Sequence, residues 1–148
     1  MKLRRRALIR SLLTVAAVMA VPRWLFAARP DAAFDADSAD AVSKELFDSA
    51  IEASDQVTLK IPDIAENGAV VPVTVSTDLA DVESISVIVD NNPTPFAAMF
   101  VLTPRSVPNV SLRIKMGESS QVQAIVKAGG KLYSASKEVK VTIGGCGG

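Results

Sequence analysis

The sequence predicts a mainly β protein: an immunoglobulin-like antiparallel β-sandwich with an N-terminal helix and a flexible C-terminal tail. Two observations carry this prediction. From Val57 onward apolar residues recur at every second position, and turn-forming residues interrupt those runs at short intervals. About seven or eight short strands in roughly 90 residues is the pattern of such a sandwich. The 148 residues are enough for one ordinary domain.

The first residues do not read as part of that domain. Lys2, Arg4, Arg5, Arg6 and Arg10 form a basic head, Ser11 to Val21 is a short apolar run, and small residues follow at Ala27 and Ala28. This is the layout of a secretory leader, and the run falls short of the ~20 apolar residues a membrane span needs. Arg5-Arg6-Ala7-Leu8-Ile9-Arg10 resembles the twin-arginine export signal, which serves proteins that cross already folded. Arg4 stands where Ser or Thr is commoner, and an ordinary secretory leader is the alternative. Both readings place the mature chain outside the cytoplasm, in a bacterial periplasm, with no membrane attachment after cleavage.

Cleavage is expected after Ala27. It removes six basic residues from sixteen and none of the sixteen acidic ones, so the mature chain carries 10 − 16 = −6. With no basic stripe, and Trp24 in the leader as the one tryptophan, nucleic-acid binding has no support. The expected divisions are a signal peptide over 1–27, a helical segment over 28–55, the sandwich over 56–143 and a carrier arm over 144–148.

Ala32 to Ala53 reads as one helix. Val42, Leu46 and Ala50 recur at four-residue spacing, with Phe47 and Ile51 on the same face. Asp35, Asp37 and Asp40 crowd its start, where the helix dipole favours negative charge. Its expected role is packing over one end or edge of the domain.

The strands follow. Val71, Val73 and Val75 alternate with Pro72, Thr74 and Ser76, and Ile85, Val87 and Val89 with Ser84, Ser86 and Asp90. Val110, Leu112, Ile114 and Met116 alternate with Ser111, Arg113 and Lys115. Val122, Ala124 and Val126 come next, then Val139, Val141 and Ile143. Each is expected to have one core face and one wet face. Gly129-Gly130 is the expected hairpin corner, and Pro72 should mark an edge strand or a bulge. Phe96 to Leu102 is apolar on both faces. Either it lies centrally with both sides covered, or its outer face meets another protein.

The chemistry is expected at the end of the chain, Gly144-Gly145-Cys146-Gly147-Gly148. Glycine adds no side-chain bulk and permits nearly all backbone angles, so these residues should be mobile. The extended step from Thr142 to Cys146 spans about 13–14 Å, long enough to carry the thiol into a narrow cleft of another protein. A larger residue beside Cys146 would limit reach and entry. Cys146 is the single cysteine, so an internal disulfide is impossible, and an intermolecular bond or a reactive thiol must be considered. The chain has no histidine, which excludes a Cys–His dyad and a His/Cys zinc site within it. An unperturbed thiol is about 3 % thiolate at pH 7. That suits a carrier activated inside a partner better than an enzyme, and no metal or cofactor is expected.

Three stretches of the body, Pro62-Asp63-Ile64-Ala65-Glu66-Asn67-Gly68-Ala69-Val70-Val71-Pro72-Val73, Arg113-Ile114-Lys115-Met116-Gly117 and Tyr133-Ser134-Ala135-Ser136-Lys137-Glu138-Val139, join the terminal pentapeptide in one pattern. That pattern closely resembles the SoxY family, sulfur-carrier subunits of bacterial thiosulfate-oxidising Sox systems. The resemblance implies that Cys146 is the covalent attachment point and that Gly144, Gly145, Gly147 and Gly148 form a swinging arm. It also implies a heterodimer with SoxZ. The c-type haem protein SoxAX would couple thiosulfate to the thiol, SoxB would hydrolyse off sulfate, and SoxCD, where present, would oxidise the remaining sulfur. Two other functions compete: a ubiquitin-like carrier holding sulfur on Gly148, and a structural module whose Cys146 makes a disulfide dimer.

Overall fold

A computed structural model describes residues 30–47 and 49–142. The leader, Ile143, expected as the last core residue of the sandwich, and residues 144–148, Cys146 included, lie outside the described residues. Two short helices, α1 (Asp31–Asp35) and α2 (Ala39–Leu46), come first. The strands are β1 (Ile51–Ala53), β2 (Val57–Lys60), β3 (Ile64–Ala65), β4 (Val71–Thr77), β5 (Val82–Val89), β6 (Phe96–Val101), β7 (Asn109–Ile114), β8 (Ser120–Ala128) and β9 (Lys131–Val141). No helix among the described residues is long and apolar enough to cross a membrane.

The strands form two sheets, ordered β1-β9-β8-β5-β6, with β3 also pairing β9, and β2-β4-β7. The sandwich is antiparallel apart from β1 and β3, which both join β9 in parallel. The alternating residues read from the sequence build the layer between the sheets. Val71, Val73 and Val75 of β4 share one buried cluster with Ile85, Val87 and Val89 of β5 and Val122, Ala124 and Val126 of β8. Truncating Ile85, which is fully buried, to Ala would cost about 2–5 kcal/mol. The corner between β8 and β9 is Gly129-Gly130, with φ of 55° and 75°, the left-handed pair a tight hairpin requires.

The N-terminal segment departs from the expected single helix over Ala32 to Ala53. The chain turns extended at Ala36, and Ser38 starts a second helix by accepting the Ala41 amide on its hydroxyl at 3.3 Å. The second helix stops at Phe47, and Ile51–Ala53 is strand β1, because β9 offers its backbone a ladder. Ala50, expected on the apolar face, is exposed. The segment covers a face of the larger sheet instead of an end or edge. Ala33 and Val42 bury Ile88, Ile125 and Leu132, and the rings of Phe34 and Phe96 meet at 4.5 Å.

This second layer corrects the reading of β5 as half wet. Ser84 and Ser86 are buried, because the helices roof their side of the sheet. Pro72 lies in the middle strand of the smaller sheet, not in an edge strand. Pairing between β2 and β4 stops at Lys60–Thr74, however, so at Pro72 the strand has a neighbour on one side only. The apolar strand β6 is not central: it closes one edge of the larger sheet.

Candidate functional site

Cys146 and its four glycines fall outside the described residues, so the part of the site on view is its root, the end of β9. Several elements hold that end in place. Strand β8 pairs along it up to Val139, and β3 runs parallel to its last residues, with Ile64 opposite Lys140 and Ala65 opposite Val141. The Lys140 amide donates to the Asp63 carbonyl at 2.9 Å, and the Thr142 amide to the Ala65 carbonyl at 3.1 Å. The Thr142 hydroxyl lies 3.4 Å from the same carbonyl. On the other side the Val141 amide donates to the Ser119 hydroxyl at 2.9 Å.

The segment that supplies Asp63 and Ala65 is itself anchored. Lys137 extends from β9, donates to the Ile61 carbonyl at 2.9 Å and pairs with the Asp63 carboxylate at 2.9 Å. The hydrogen bond from Lys137, and then its charge, hold the Asp63 carboxyl below the usual aspartate range. Asn67 closes a turn by accepting the Ala69 amide on its side chain at 3.0 Å. The Met116 amide donates to the Gly68 carbonyl at 2.7 Å. Any side chain at Gly68 would overlap the Met116 carbonyl oxygen and stand 2.9 Å from Cγ1 of Val141.

Three separate sequence stretches thus meet at one place. Residues 62–73 bring Asp63, Ala65 and Gly68, residues 113–117 bring Met116, and residues 133–139 bring Lys137. Sequence reasoning quoted all three for their resemblance and gave them no task. Together they fix the end of β9 at Thr142, the last described residue. Thr142 is tied to Ala65, and Cys146 follows four residues later. Among the described residues no group of three or more Asp, Glu, His or Cys side chains is placed to hold a metal ion. The larger surface hollows, one of them lined by Leu59, Pro62, Pro72, Thr74 and Lys137, are open grooves.

No curated protein sequence matches the chain. A structure of the sulfur carrier protein SoxY from Chlorobium limicola f thiosulfatophilum is 44 % identical, with a TM-score of 0.63 over 70 % of this chain and 94 % of that one. A superoxide reductase (neelaredoxin) from Ignicoccus hospitalis shares the sandwich at 20 % identity and a TM-score of 0.52, over 59 % of this chain and 80 % of that one. That second likeness is one of fold alone. The family model for sulfur oxidation protein SoxY matches residues 43–146, from α2 through the anchored strand β9 to the cysteine itself. With a match across that span and 44 % identity to a solved relative, the chain belongs to the SoxY family.

Proposed function

We propose that this protein is a periplasmic sulfur carrier without catalytic activity of its own, which holds thiosulfate-derived intermediates covalently on Cys146. The observation that carries the reading is the family match running through residue 146, together with the sulfur-carrier relative. The anchored end of β9 supports it, since a carrier needs a fixed body and a cysteine set beyond it.

In this reading the thiol and thiosulfate join through a new S–S bond as RSH + S₂O₃²⁻ → RS–S–SO₃⁻ + H⁺ + 2e⁻. The haem protein SoxAX takes the electrons. SoxB then adds water and releases sulfate with two protons, leaving a persulfide anion on Cys146 for SoxCD. The partner in the heterodimer is SoxZ. We place it at β6, where Phe96-Ala97-Ala98-Met99-Phe100-Val101 is an uncharged edge strand with β5 on one side and, among the described residues, no strand on the other. Bare edges of this kind recruit a strand from another chain.

The ubiquitin-like alternative does not suit two packed sheets roofed by terminal helices. A disulfide-linked structural dimer is separated by experiment. Intact mass spectrometry of the chain from thiosulfate-grown cells, with the modification mapped by peptides, should find thiosulfonate or persulfide mass on Cys146. A reducible dimer as the sole modified form, unchanged by thiosulfate and the partner enzymes, would refute the carrier role.

A further inference from the structure

Four large apolar side chains among the described residues stand exposed, and they fall into two groups. Val101 and Val107, each 78 % exposed, belong to β6 and the loop after it; Ile64 and Val70, 56 % and 48 % exposed, belong to the segment that anchors β9. The second group belongs to the segment bonded to Thr142, the last described residue. Ile64 is in register with Lys140, and its neighbour Ala65 bonds Thr142. Val70 closes the turn that presses Gly68 against Val141, its amide donating to the Asn67 carbonyl at 3.2 Å.

We infer that Ile64 and Val70 form an apolar collar on which the sulfur-processing enzymes seat the rim of the cleft that receives Cys146. The inference rests on the carrier reading and adds to it a surface and a partner chemistry. Its basis is the length of chain beyond Thr142. Four residues reach at most about 13–14 Å, so a catalyst that encloses the sulfur must bring its own surface within that distance of Thr142. Whatever part of that reach lies inside the cleft is subtracted from the distance between its rim and the carrier. The rim then rests on whatever surrounds Thr142, and the segment bonded to Thr142 is the one that bears Ile64 and Val70.

The orientation of Ile64 follows from the strand. Alternate residues of a strand face opposite sides; Ala65 is buried, so Ile64 faces out. The collar is also rigid, because Lys137, Asp63 and the Gly68 contact hold its backbone. Two apolar side chains on a fixed backbone lose little conformational freedom on docking, which favours an apolar partner surface. The collar therefore fits an enzyme with a narrow, apolar-rimmed cleft.

The test uses the mature chain in complex with its heterodimer partner, carrying Ile64→Asp, Val70→Asp or, as a control, Thr58→Asp, an exposed position of β2 opposite Ser76. Each collar variant should lower kcat/KM for enzyme-dependent sulfate release about tenfold, through KM, with kcat nearly unchanged. Thr58→Asp should leave it within twofold. Reaction of Cys146 with a small aromatic disulfide should proceed at the parent rate in all three, and Ile64→Val should restore docking. Unchanged kcat/KM in both collar variants, an equal fall in the control, or loss of heterodimer assembly in place of turnover would overturn the collar while leaving the carrier role standing. Absence of Cys146-dependent turnover in the parent chain would overturn the carrier role itself, and the collar with it.

Discussion

Gly68 lies against Val141 with no room for a side chain: a Cβ there would stand 2.9 Å from Val141 Cγ1 and closer still to the Met116 carbonyl oxygen. The backbone at the Met116 position cannot retreat easily, since its amide is bonded to the Gly68 carbonyl. Gly68→Ala should therefore destabilise the protein by about 1–3 kcal/mol, as overpacking does in a filled core. Urea unfolding measures the loss, and hydrogen exchange should show the Thr142 amide losing protection before the amides of β8. A variant as stable as the parent would mean that the clamp is looser than these distances imply.

Cys146→Ser should leave thermal unfolding unchanged and should abolish thiosulfate-dependent turnover of the reconstituted system. Replacing Gly145 and Gly147 with tryptophan should preserve reaction with a small thiol reagent and slow the partner enzymes at least tenfold. Equal enzyme rates would show that a slim terminus is not required.

The Asp63–Lys137 pair gives the clamp a pH dependence with a definite sign. The carboxyl is held below its ordinary value, so the folded state favours the ionised form. That contribution is complete above the unfolded value of about 3.9 and is lost as pH falls through the lower folded value. Carboxyl titration by NMR should find Asp63 below the ordinary aspartate value, and Lys137→Met should return it to that range. Asp90 runs the other way. Burial raises its pKa against the hydrogen bond from Gln123, so its ionisation opposes folding as pH rises past that value. Asp90→Asn should accordingly be neutral or stabilising by about a few tenths of a kcal/mol at pH 7, a small effect because the group is only partly buried.

The edge strand provides a test of assembly. Val101→Lys places a charge on an exposed position and should leave the fold intact, yet weaken heterodimer formation about tenfold by introducing a charge where a partner strand would pack. Sedimentation or calorimetric titration reads this directly. Full affinity would move the partner to another surface.

Much of the sandwich was legible in the sequence because it rests on local alternation. Val71-Val73-Val75, Ile85-Val87-Val89 and Val122-Ala124-Val126 declare their inward faces by spacing, and Gly129-Gly130 declares its corner by backbone need. What was not legible depends on partners distant in the chain. Ile51 continues a helical stripe by spacing and becomes a strand because β9 lies beside it. Ser84 and Ser86 look solvated until the helices are folded over them. Pro72 suits a middle strand because its neighbour β2 ends first. The candidate site divides in the same way: Cys146 stands out from its surroundings in composition, whereas the bond from Thr142 to Ala65 joins residues 77 apart and leaves no local trace.

Strand β9 is the last of the described strands in chain order and the one to which β1, β3 and β8 all attach. A chain broken off before Lys131 lacks the hub of its larger sheet, and its β1 and β3 have nothing to join. Completion of that sheet therefore waits for β9. Any inspection step that passes only finished structures would discard chains cut short ahead of that strand.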